Sequence, residues 1–384
     1  MARLEVADVF RQFGPSYLDA FGKRMLPSHR HALEDIVACR TQAKGGHAYH
    51  CGKCGESFYV YHGCRNRSCP ACHTHQSRLW LRLRQAELLP CAYYHVCVTV
   101  PEPLREMFRS NQNGCYSLLM KAASEAVLEL CADTRYLGAI PAVLSVLHTW
   151  TAAMDYHPHV HLLVSGGGLG LDAKPWREAK RSFLIPVRAL SRLVRGKFMA
   201  MLKKTRPDLE GRIAADAWGR EWVAWCKPWG NGETAVLDYL ARYVHRIAIT
   251  NARILSMDAK TVTFRYKDRK AGQMRDCTVS GHEFMRRFLQ HVLPKGFHKV
   301  RYCGLWHSSR RARRENIRDT LLLTRAMETP QPKPENMAAA LPASGQDAAA
   351  DTANPPCPHC GGLDTKYIGT VPARHNANRT RAAP

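Results

Sequence analysis

Two histidines separated by one residue, His159 and His161, are the residues of this chain best placed to do chemistry. They lie in a β-rich run, and side chains two positions apart on a strand point to the same face of a sheet. Both imidazoles can therefore bind one metal ion, while Val160 points the other way into a core. Histidine pairs at this spacing are also common by chance, so their meaning depends on the rest of the chain.

A β-hairpin would place a third imidazole beside this pair. Residues 142–151 form a second β-rich run, and residues 154–156 suit a turn between two antiparallel strands. Pairing of the strands brings His148 opposite the pair, so that three imidazoles leave coordination positions open for substrate or water. His157 has the same parity as the pair and stays an alternative third ligand. His95 begins another predicted strand and is more typical of a strand end than of a ligand.

The charge of the chain indicates a polyanionic partner. Its 384 residues are 45% hydrophobic and carry a formal net charge of +24, which is far from what solubility requires. Nucleic acid fits this charge better than a membrane surface, because no strongly amphipathic basic helix dominates the sequence. We find neither a signal peptide nor an apolar run long enough to span a bilayer, and therefore expect a soluble, intracellular protein without a membrane partner.

The cysteines indicate metal binding rather than disulfides. The chain is large, lacks a secretory signal and groups several of its 15 cysteines in C-x2-C pairs. Cys51, Cys54, Cys69 and Cys72 come from two such pairs, and four thiolates suit a structural zinc site that has no open position for catalysis. Two further cysteines, Cys39 and Cys64, lie nearby in the sequence. They either complete a second zinc site or are ordinary thiols.

A last C-x2-C pair, Cys357 and Cys360, follows a low-complexity stretch near the C-terminus. Partner thiols are not visible nearby, so a metal there would need Cys303, a distant residue or a second chain. The preceding residues, 328–356, are rich in proline, alanine and polar residues, and we expect them to be disordered.

A pair of tyrosines supplies candidate nucleophiles. Tyr239 and Tyr243 stand four residues apart in a stretch of helical character, so that both hydroxyls emerge on one face. Such a pair alone is usually packing, but beside a histidine metal site in a basic protein it becomes a candidate pair of nucleophiles. Arginines near these motifs are predicted to contact DNA, although a solvated face explains any single one about as well. They are Arg65, Arg67, Arg242, Arg246, Arg310, Arg311, Arg313 and Arg314.

Taken together, these motifs resemble the two-tyrosine HUH transposases of the insertion sequence 91 family. The resemblance rests on HTW and HPHVH around the histidines, YLARYVHRIAI around the tyrosines, CRT, CGKCG and GCRNRSCPAC in the cysteine-rich segment, and VTFRYKD and EFMRRFLQHVLPKGF further on. It extends from about residue 28 to about residue 325, in the family's order. The ordered set is far more specific than the histidine motif alone.

The resemblance implies an enzyme that cleaves and rejoins single-stranded DNA at hairpin-forming element ends, in rolling-circle-like transposition. A Mg²⁺ or Mn²⁺ ion held by the histidines would polarise a phosphate, and Tyr239 would attack first, leaving a 5′-phosphotyrosine and a free 3′-hydroxyl. Related HUH relaxases supply a third histidine about eleven residues earlier, which is the offset of His148 from His159. The implied location is the bacterial cytoplasm, at the nucleoid when DNA is bound.

We expect an α+β fold in three parts. Residues 1–90 form a helical and zinc-binding module for DNA, residues 91–327 an HUH-endonuclease-like antiparallel β-sheet with flanking helices, and residues 328–384 a disordered linker with a short Cys-Pro-His-Cys tail. Two other functions stay open: a relaxase or rolling-circle replication initiator with the same chemistry, and a non-catalytic zinc-dependent DNA-binding protein. The sequence does not determine the oligomeric state.

Overall fold

The computed structural model describes residues 4–72, 87–171, 176–180, 182–211, 213, 218–219, 221–244, 247–268, 271–328 and 354–374. Its helices are α1 (Val6–Phe21), α2 (Pro27–Ala38), α3 (Arg105–Ser110), α4 (Gln112–Ala132), α5 (Val187–Thr205), α6 (Pro207–Glu210), α7 (Gly232–Tyr239), α8 (Gly281–Leu289) and α9 (Arg311–Glu328). A π-helical segment, Leu240–Val244, continues α7. None of the described helices is long and apolar enough to cross a membrane.

Twelve strands are assigned within these residues, and they form three antiparallel sheets. The strands are β1 (Gly46–Cys51), β2 (Ser57–Tyr61), β3 (Ala92–Thr99), β4 (Ala139–Trp150), β5 (Tyr156–Gly170), β6 (Arg177–Glu178), β7 (Val223–Asn231), β8 (Ile254–Met257), β9 (Thr261–Lys267), β10 (Met274–Ser280), β11 (Val300–Gly304) and β12 (Thr365–Val371). Antiparallel sheets combined with helices confirm the predicted α+β class.

The largest sheet has the strand order β11-β4-β5-β3-β7, with β6 paired to β5. At its centre, β4 and β5 form the predicted hairpin, whose turn lies at residues 151–155. His148 pairs directly with His159 across these two strands, as expected. The hairpin register therefore positions the histidines by backbone hydrogen bonds, independently of any ligand.

The two faces of this sheet bury different side chains, because residues alternate along each strand. Leu147 and Val160 point to one face, where α4 and α5 cover them in the largest core. Leu144 and Leu163 point to the other face and pack against Val236 of α7. The three histidines occupy alternate strand positions whose side chains point to this second face. They lie at one end of it, beyond the apolar side chains that hold α7 in place.

The N-terminal helices pack against the sheet β10-β9-β8 and α8, in a core of their own. Phe10 of α1 meets Phe288 of α8 edge to face, with ring centroids 5.1 Å apart. The buried stripe of α1, from Val6 to Phe13, is used for this packing. The apolar face of α1 is therefore buried in this core.

The third sheet joins the two ends of the chain. Its order is β12-β1-β2, and Thr365–Val371 pairs with Gly46–Cys51. Residues 365–371 of the predicted C-terminal tail therefore belong to this sheet, because β12 completes the edge of β1. Of the stretch predicted to be disordered, residues 328–356, those from 329 to 353 lie outside the described residues. The predicted domain boundaries themselves stay predictions.

Candidate active site

Three histidines converge on one face of the central sheet. One ring nitrogen from each of His148, His159 and His161 lies within 4.8 Å of the other two. The ring centroids of His148 and His159 each lie 4.7 Å from that of His161. Metal–nitrogen bonds of about 2.1 Å would place three ligand nitrogens about 3 to 3.5 Å apart, so small side-chain rotations suffice to bind one ion. His157 is not part of this group, so the geometry favours His148 as the third ligand.

Hydrogen bonds orient two of these rings. Nδ1 of His159 donates to the carbonyl oxygen of His157, and Nε2 of His148 donates to that of Tyr243, both at 2.6 Å. A carbonyl oxygen can only accept, so these nitrogens carry the proton and the lone pair of the neutral imidazole lies on the other ring nitrogen. Outer hydrogen bonds of this kind commonly fix the ligands of a metal site. The bond from His148 also connects the histidine group to the tyrosine segment.

His95 lies beside the three histidines, a position that sequence reasoning did not predict. It is 1% exposed on β3, and its Nε2 lies 2.9 Å from Nδ1 of His161. The ring also contacts Tyr243, with centroids 4.6 Å apart. The pairing of β3 with β5 creates this contact, and that pairing could not be inferred from the sequence. A histidine within an otherwise apolar strand was the signal available, and His95 lies inside β3 against His161 rather than at a strand end.

Tyr239 and Tyr243 lie on the same face of the sheet as the histidines. The ring of Tyr243 lies 4.2 Å from that of His161, and the two tyrosine rings are 4.8 Å apart, measured between centroids. The helix α7 ends at Tyr239, and the π-helical segment carries Tyr243. A π-helical turn is wider than an α-helical one, so residues four apart come nearer to alignment; such turns frequently occur at functional sites.

The two tyrosines have different environments. Tyr239 is fully buried, and its hydroxyl has no hydrogen-bond partner among the described residues. Burial first, then the neighbouring Cys97 and Tyr243, raises the pKa of Tyr239 well above 10. Tyr243 is only half-buried. Burying a hydroxyl without a partner costs about 1 to 3 kcal/mol, so the position of Tyr239 is unfavourable for a polar side chain.

One four-thiol cluster lies wholly in the N-terminal module. The thiols of Cys39, Cys64, Cys69 and Cys72 lie within 4.8 Å of one another. Three of the sulfur separations are 3.4, 3.6 and 3.8 Å. Four sulfurs at about 2.3 Å from a tetrahedral zinc ion are about 3.8 Å apart, so the cluster fits zinc. The separations are much too long for a disulfide.

Cys51 and Cys54 lie outside this cluster, so the predicted zinc site that joined them with Cys69 and Cys72 is wrong. Their thiols lie instead with the C-terminal C-x2-C pair, all four within 4.8 Å of one another. The physical reason is the pairing of β12 with β1, which brings together residues separated by about 300 positions. Proximity along the chain was therefore a misleading guide to which thiols meet.

Two arginines predicted to contact DNA are used inside the protein. Arg67 donates to three carbonyl oxygens of residues 293–297, at 2.5 to 3.0 Å, and so joins the cysteine-rich segment to the loop after α8. Arg314 is 4% exposed and lies 3.9 Å from a carboxylate oxygen of Glu87. Phosphate contact is wrong for these two, because each guanidinium is buried or occupied by protein partners.

The remaining arginines predicted to contact DNA include several with exposed side chains. Arg311 is exposed and forms an ion pair with Glu315 at 2.9 Å, which leaves its guanidinium accessible. Arg246 and the side chain of Arg242 lie outside the described residues. DNA contact stays a prediction for four exposed or partly exposed residues, which are Arg65, Arg310, Arg311 and Arg313.

Comparison with known proteins gives two family matches. Residues 142–314 match the family described as "Putative transposase", and residues 9–100 match the one described as "Transposase zinc-binding domain". The chain is 39% identical over 346 residues to "Putative transposase y4qJ" of Sinorhizobium fredii, covering 85% of this chain and 86% of that protein. It is 28% identical over 286 residues to "Transposase for insertion sequence element IS801" of Pseudomonas savastanoi pv. phaseolicola, covering 70% and 68%. No solved structure gives a significant match.

These matches agree with the geometry of the site. The first range contains the three histidines and both tyrosines, and the second contains the cluster of Cys39, Cys64, Cys69 and Cys72. Neither range contains Cys357 or Cys360. The relatives are named as transposases, so the comparisons support transposition over a relaxase, a replication initiator or a non-catalytic DNA-binding protein. The chain belongs to the insertion sequence 91 family of transposases.

Proposed function

We propose that this transposase cleaves and rejoins single-stranded DNA through a covalent bond between a tyrosine and the DNA. One observation carries the proposal: the ring of Tyr243 packs 4.2 Å from that of His161, inside a group of three histidines able to hold one ion. The two tyrosines and the three imidazoles therefore share one face of one sheet. A purely structural histidine cluster would not require a tyrosine pair beside it.

The proposed reaction is a transfer of a phosphodiester to tyrosine and back. The phenolic oxygen attacks phosphorus and forms a new P–O bond while the bond from phosphorus to the 3′ oxygen breaks. The phenol loses its proton and the 3′ oxygen gains one, which leaves a 5′-phosphotyrosine and a 3′-hydroxyl. Because the ester conserves the bond energy, attack by another 3′-hydroxyl rejoins the DNA without a nucleotide cofactor. Two tyrosines allow two such esters at once.

His148, His159 and His161 would hold the divalent ion, which supplies a Lewis acid and an orienting point for the phosphate. Their three nitrogen donors fit Mn²⁺ better than Mg²⁺, because Mg²⁺ takes oxygen ligands and dehydrates reluctantly. The chain's own contribution is to hold the rings. His95 and the carbonyl oxygens of His157 and Tyr243 each bond one ring nitrogen of the three histidines, and the other ring nitrogen of each would bind the ion.

The environments of the tyrosines favour Tyr243 as the first nucleophile, in place of the order implied by the family resemblance. Tyr243 is half-buried and packs on His161, whereas the hydroxyl of Tyr239 is enclosed. A buried phenol must be exposed before it can meet a phosphate. Tyr239 would therefore act second, after the π-helical segment Leu240–Val244 rearranges.

An exposed aromatic pair supports a single-stranded substrate. Tyr59 and Tyr61 stack in β2 with ring centroids 6.1 Å apart, and Tyr59 is 59% exposed. Unpaired bases stack on aromatic rings with little dependence on sequence. The net charge of +24 adds salt-sensitive attraction to the DNA backbone. Hairpin-forming element ends are the proposed targets.

The proposal is tested with single-stranded oligonucleotides that carry either end of the encoding element, in the presence of Mn²⁺. We expect a protein–DNA adduct that survives denaturing electrophoresis. The Tyr243→Phe variant should lose the first adduct, Tyr239→Phe should keep it, and the double variant should form none while still binding DNA. Tyr93→Phe, a buried tyrosine of the same face, serves as the matched control. An adduct formed by the double variant would refute tyrosine as the nucleophile.

The histidines are tested in the same assay. Replacing His159 and His161 together by alanine should abolish cleavage at every Mn²⁺ concentration, because two of the three ion ligands are lost. DNA binding should persist, since the basic surfaces are unchanged. Cleavage that returns at high Mn²⁺ would contradict the ligand assignment.

A further inference from the structure

The C-terminal cysteine pair repeats the geometry of the first pair in the N-terminal module. Gly55 donates its backbone N–H to the carbonyl oxygen of Cys51, and Gly361 donates to that of Cys357, both at 2.9 Å. Both glycines follow the second cysteine of their pair and have positive φ angles, +75° and +69°. Glycine adopts this left-handed conformation without steric strain. The same tight turn therefore occurs twice in the chain, once in the N-terminal module and once in the C-terminal segment.

The thiols of the two turns face one another. Cys51 lies 3.7 Å from Cys360, and Cys54 lies 3.6 Å from Cys357, measured between sulfurs. These separations match the edge of a tetrahedron of sulfurs around zinc, which is about 3.8 Å. They are nearly twice the length of a disulfide bond, about 2.05 Å. A closed set of four thiolates is typical of a structural zinc site.

Backbone contacts hold the two turns in register. β12 pairs with β1 along the whole length of β1, and the N–H of Gly52 donates to the carbonyl oxygen of Asp364 at 2.8 Å. Thr365, which follows the second turn, is 4% exposed, and its hydroxyl donates to the carbonyl oxygen of Pro355. The C-terminal segment is therefore docked on the N-terminal module by strand pairing and by the bond from Gly52, and the Thr365 hydroxyl closes its own turn.

The apolar core under this sheet is very small. Its fully buried members are Cys51, Phe58 and Cys357, with Tyr49 and Cys360 packed beside them. A sheet of three short strands with so few apolar side chains cannot offset the entropy of ordering its residues. In small domains of this kind, metal binding supplies the missing folding free energy.

We propose that Cys51, Cys54, Cys357 and Cys360 bind a second structural zinc ion, which fastens the C-terminal segment to the N-terminal module. The ion closes a loop of about 300 residues that contains the histidines and both tyrosines. The zinc-binding module of this chain is thus assembled from both ends of the sequence, beyond the matched range 9–100. The site is structural and does not depend on the proposed DNA chemistry.

Zinc content of the purified full-length chain tests the shared site. Replacing Cys357 and Cys360 by serine should remove about one equivalent of zinc, and so should replacing Cys51 and Cys54. Combining all four substitutions should remove no more than either pair alone, because both pairs serve one four-coordinate ion. Replacement of Cys277, a half-buried cysteine outside both clusters, serves as the control and should remove none. Unchanged zinc content in the C-terminal variant would overturn the proposal.

A second experiment avoids substitutions that could unfold the module. A specific protease site is inserted between residues 329 and 353 of the full chain, and the cleaved protein is passed over a sizing column. The C-terminal fragment should remain bound in zinc-containing buffer and separate after a chelator is added, with zinc restoring its binding. A fragment that separates in zinc, or that stays bound without it, would overturn the proposed role of the ion.

Discussion

Replacing the candidate nucleophile Tyr239 by phenylalanine should make the protein more stable. The hydroxyl of Tyr239 is enclosed and has no hydrogen-bond partner among the described residues, while its ring packs in the core between the sheet and α7. The substitution removes the unpaired polar group and keeps the ring. Most substitutions in a core destabilise, so the expected sign is unusual and follows directly from the geometry.

The size of the effect follows from the cost of burying an unpaired hydroxyl. That cost is about 1 to 3 kcal/mol, and loss of the oxygen's packing contacts offsets part of it. We therefore expect Tyr239→Phe to stabilise by about 1 kcal/mol. In a domain of 150 to 250 residues this corresponds to a rise in Tm of roughly 2 to 4 °C.

Tyr93→Phe is the matched control. Tyr93 is also buried on this face, at 1% exposed, but its hydroxyl donates to the carbonyl oxygen of Leu89 at 2.9 Å and accepts from the N–H of Leu89 at 3.2 Å. Phenylalanine there leaves the N–H of Leu89 without this partner, while the carbonyl oxygen of Leu89 keeps the bond from the N–H of Cys91 at 2.9 Å. We therefore expect a loss of about 1 to 3 kcal/mol. The same change of side chain should thus shift stability in opposite directions at two positions.

Stability is measured by thermal unfolding of the full chain, without DNA or added Mn²⁺, and compared at equal zinc content. Tyr239→Phe should unfold above the wild type and Tyr93→Phe below it. If Tyr239→Phe is destabilised as strongly as Tyr93→Phe, the hydroxyl of Tyr239 has a partner.

Three further predictions concern residues outside the nucleophile pair. His95→Ala should weaken Mn²⁺ binding about 10- to 100-fold, because His161 loses its orienting partner. His95→Gln should keep part of the Mn²⁺ affinity, and a Mn²⁺ titration of adduct formation measures both variants. Burial lowers the pKa of His291 to about 4, so between pH 6.5 and 4 the unfolded chain binds a proton that the folded protein does not. The free energy of unfolding should fall by up to about 3 kcal/mol as the pH is lowered across that interval. The midpoint of urea unfolding should fall less in the His291→Asn variant, which lacks this imidazole. Arg67→Lys should lower stability by about 1 to 3 kcal/mol and leave the salt dependence of DNA binding unchanged. If Arg67 contacted a phosphate, the variant would instead show a smaller slope of DNA affinity against salt concentration.

Local patterns in the sequence determined the chemical groups of this protein. The alternation of His159 and His161 along a strand, the four-residue spacing of the tyrosines and the C-x2-C pairs depend on backbone periods of a few residues. The hairpin that brings His148 opposite His159 is equally local, because its strands follow one another in the chain. These features could be predicted because the same short segment both contains and positions the residues.

Tertiary structure alone decided which of these groups meet. The thiols of Cys54 and Cys357 are separated by 303 positions and come together through the pairing of β12 with β1. His95 reaches His161 because β3 lies beside β5, and Arg67 is buried because a distant loop supplies three carbonyl oxygens. Burial and partnership are properties of the packed chain, so a residue's type and spacing could name a candidate ligand without naming its neighbours.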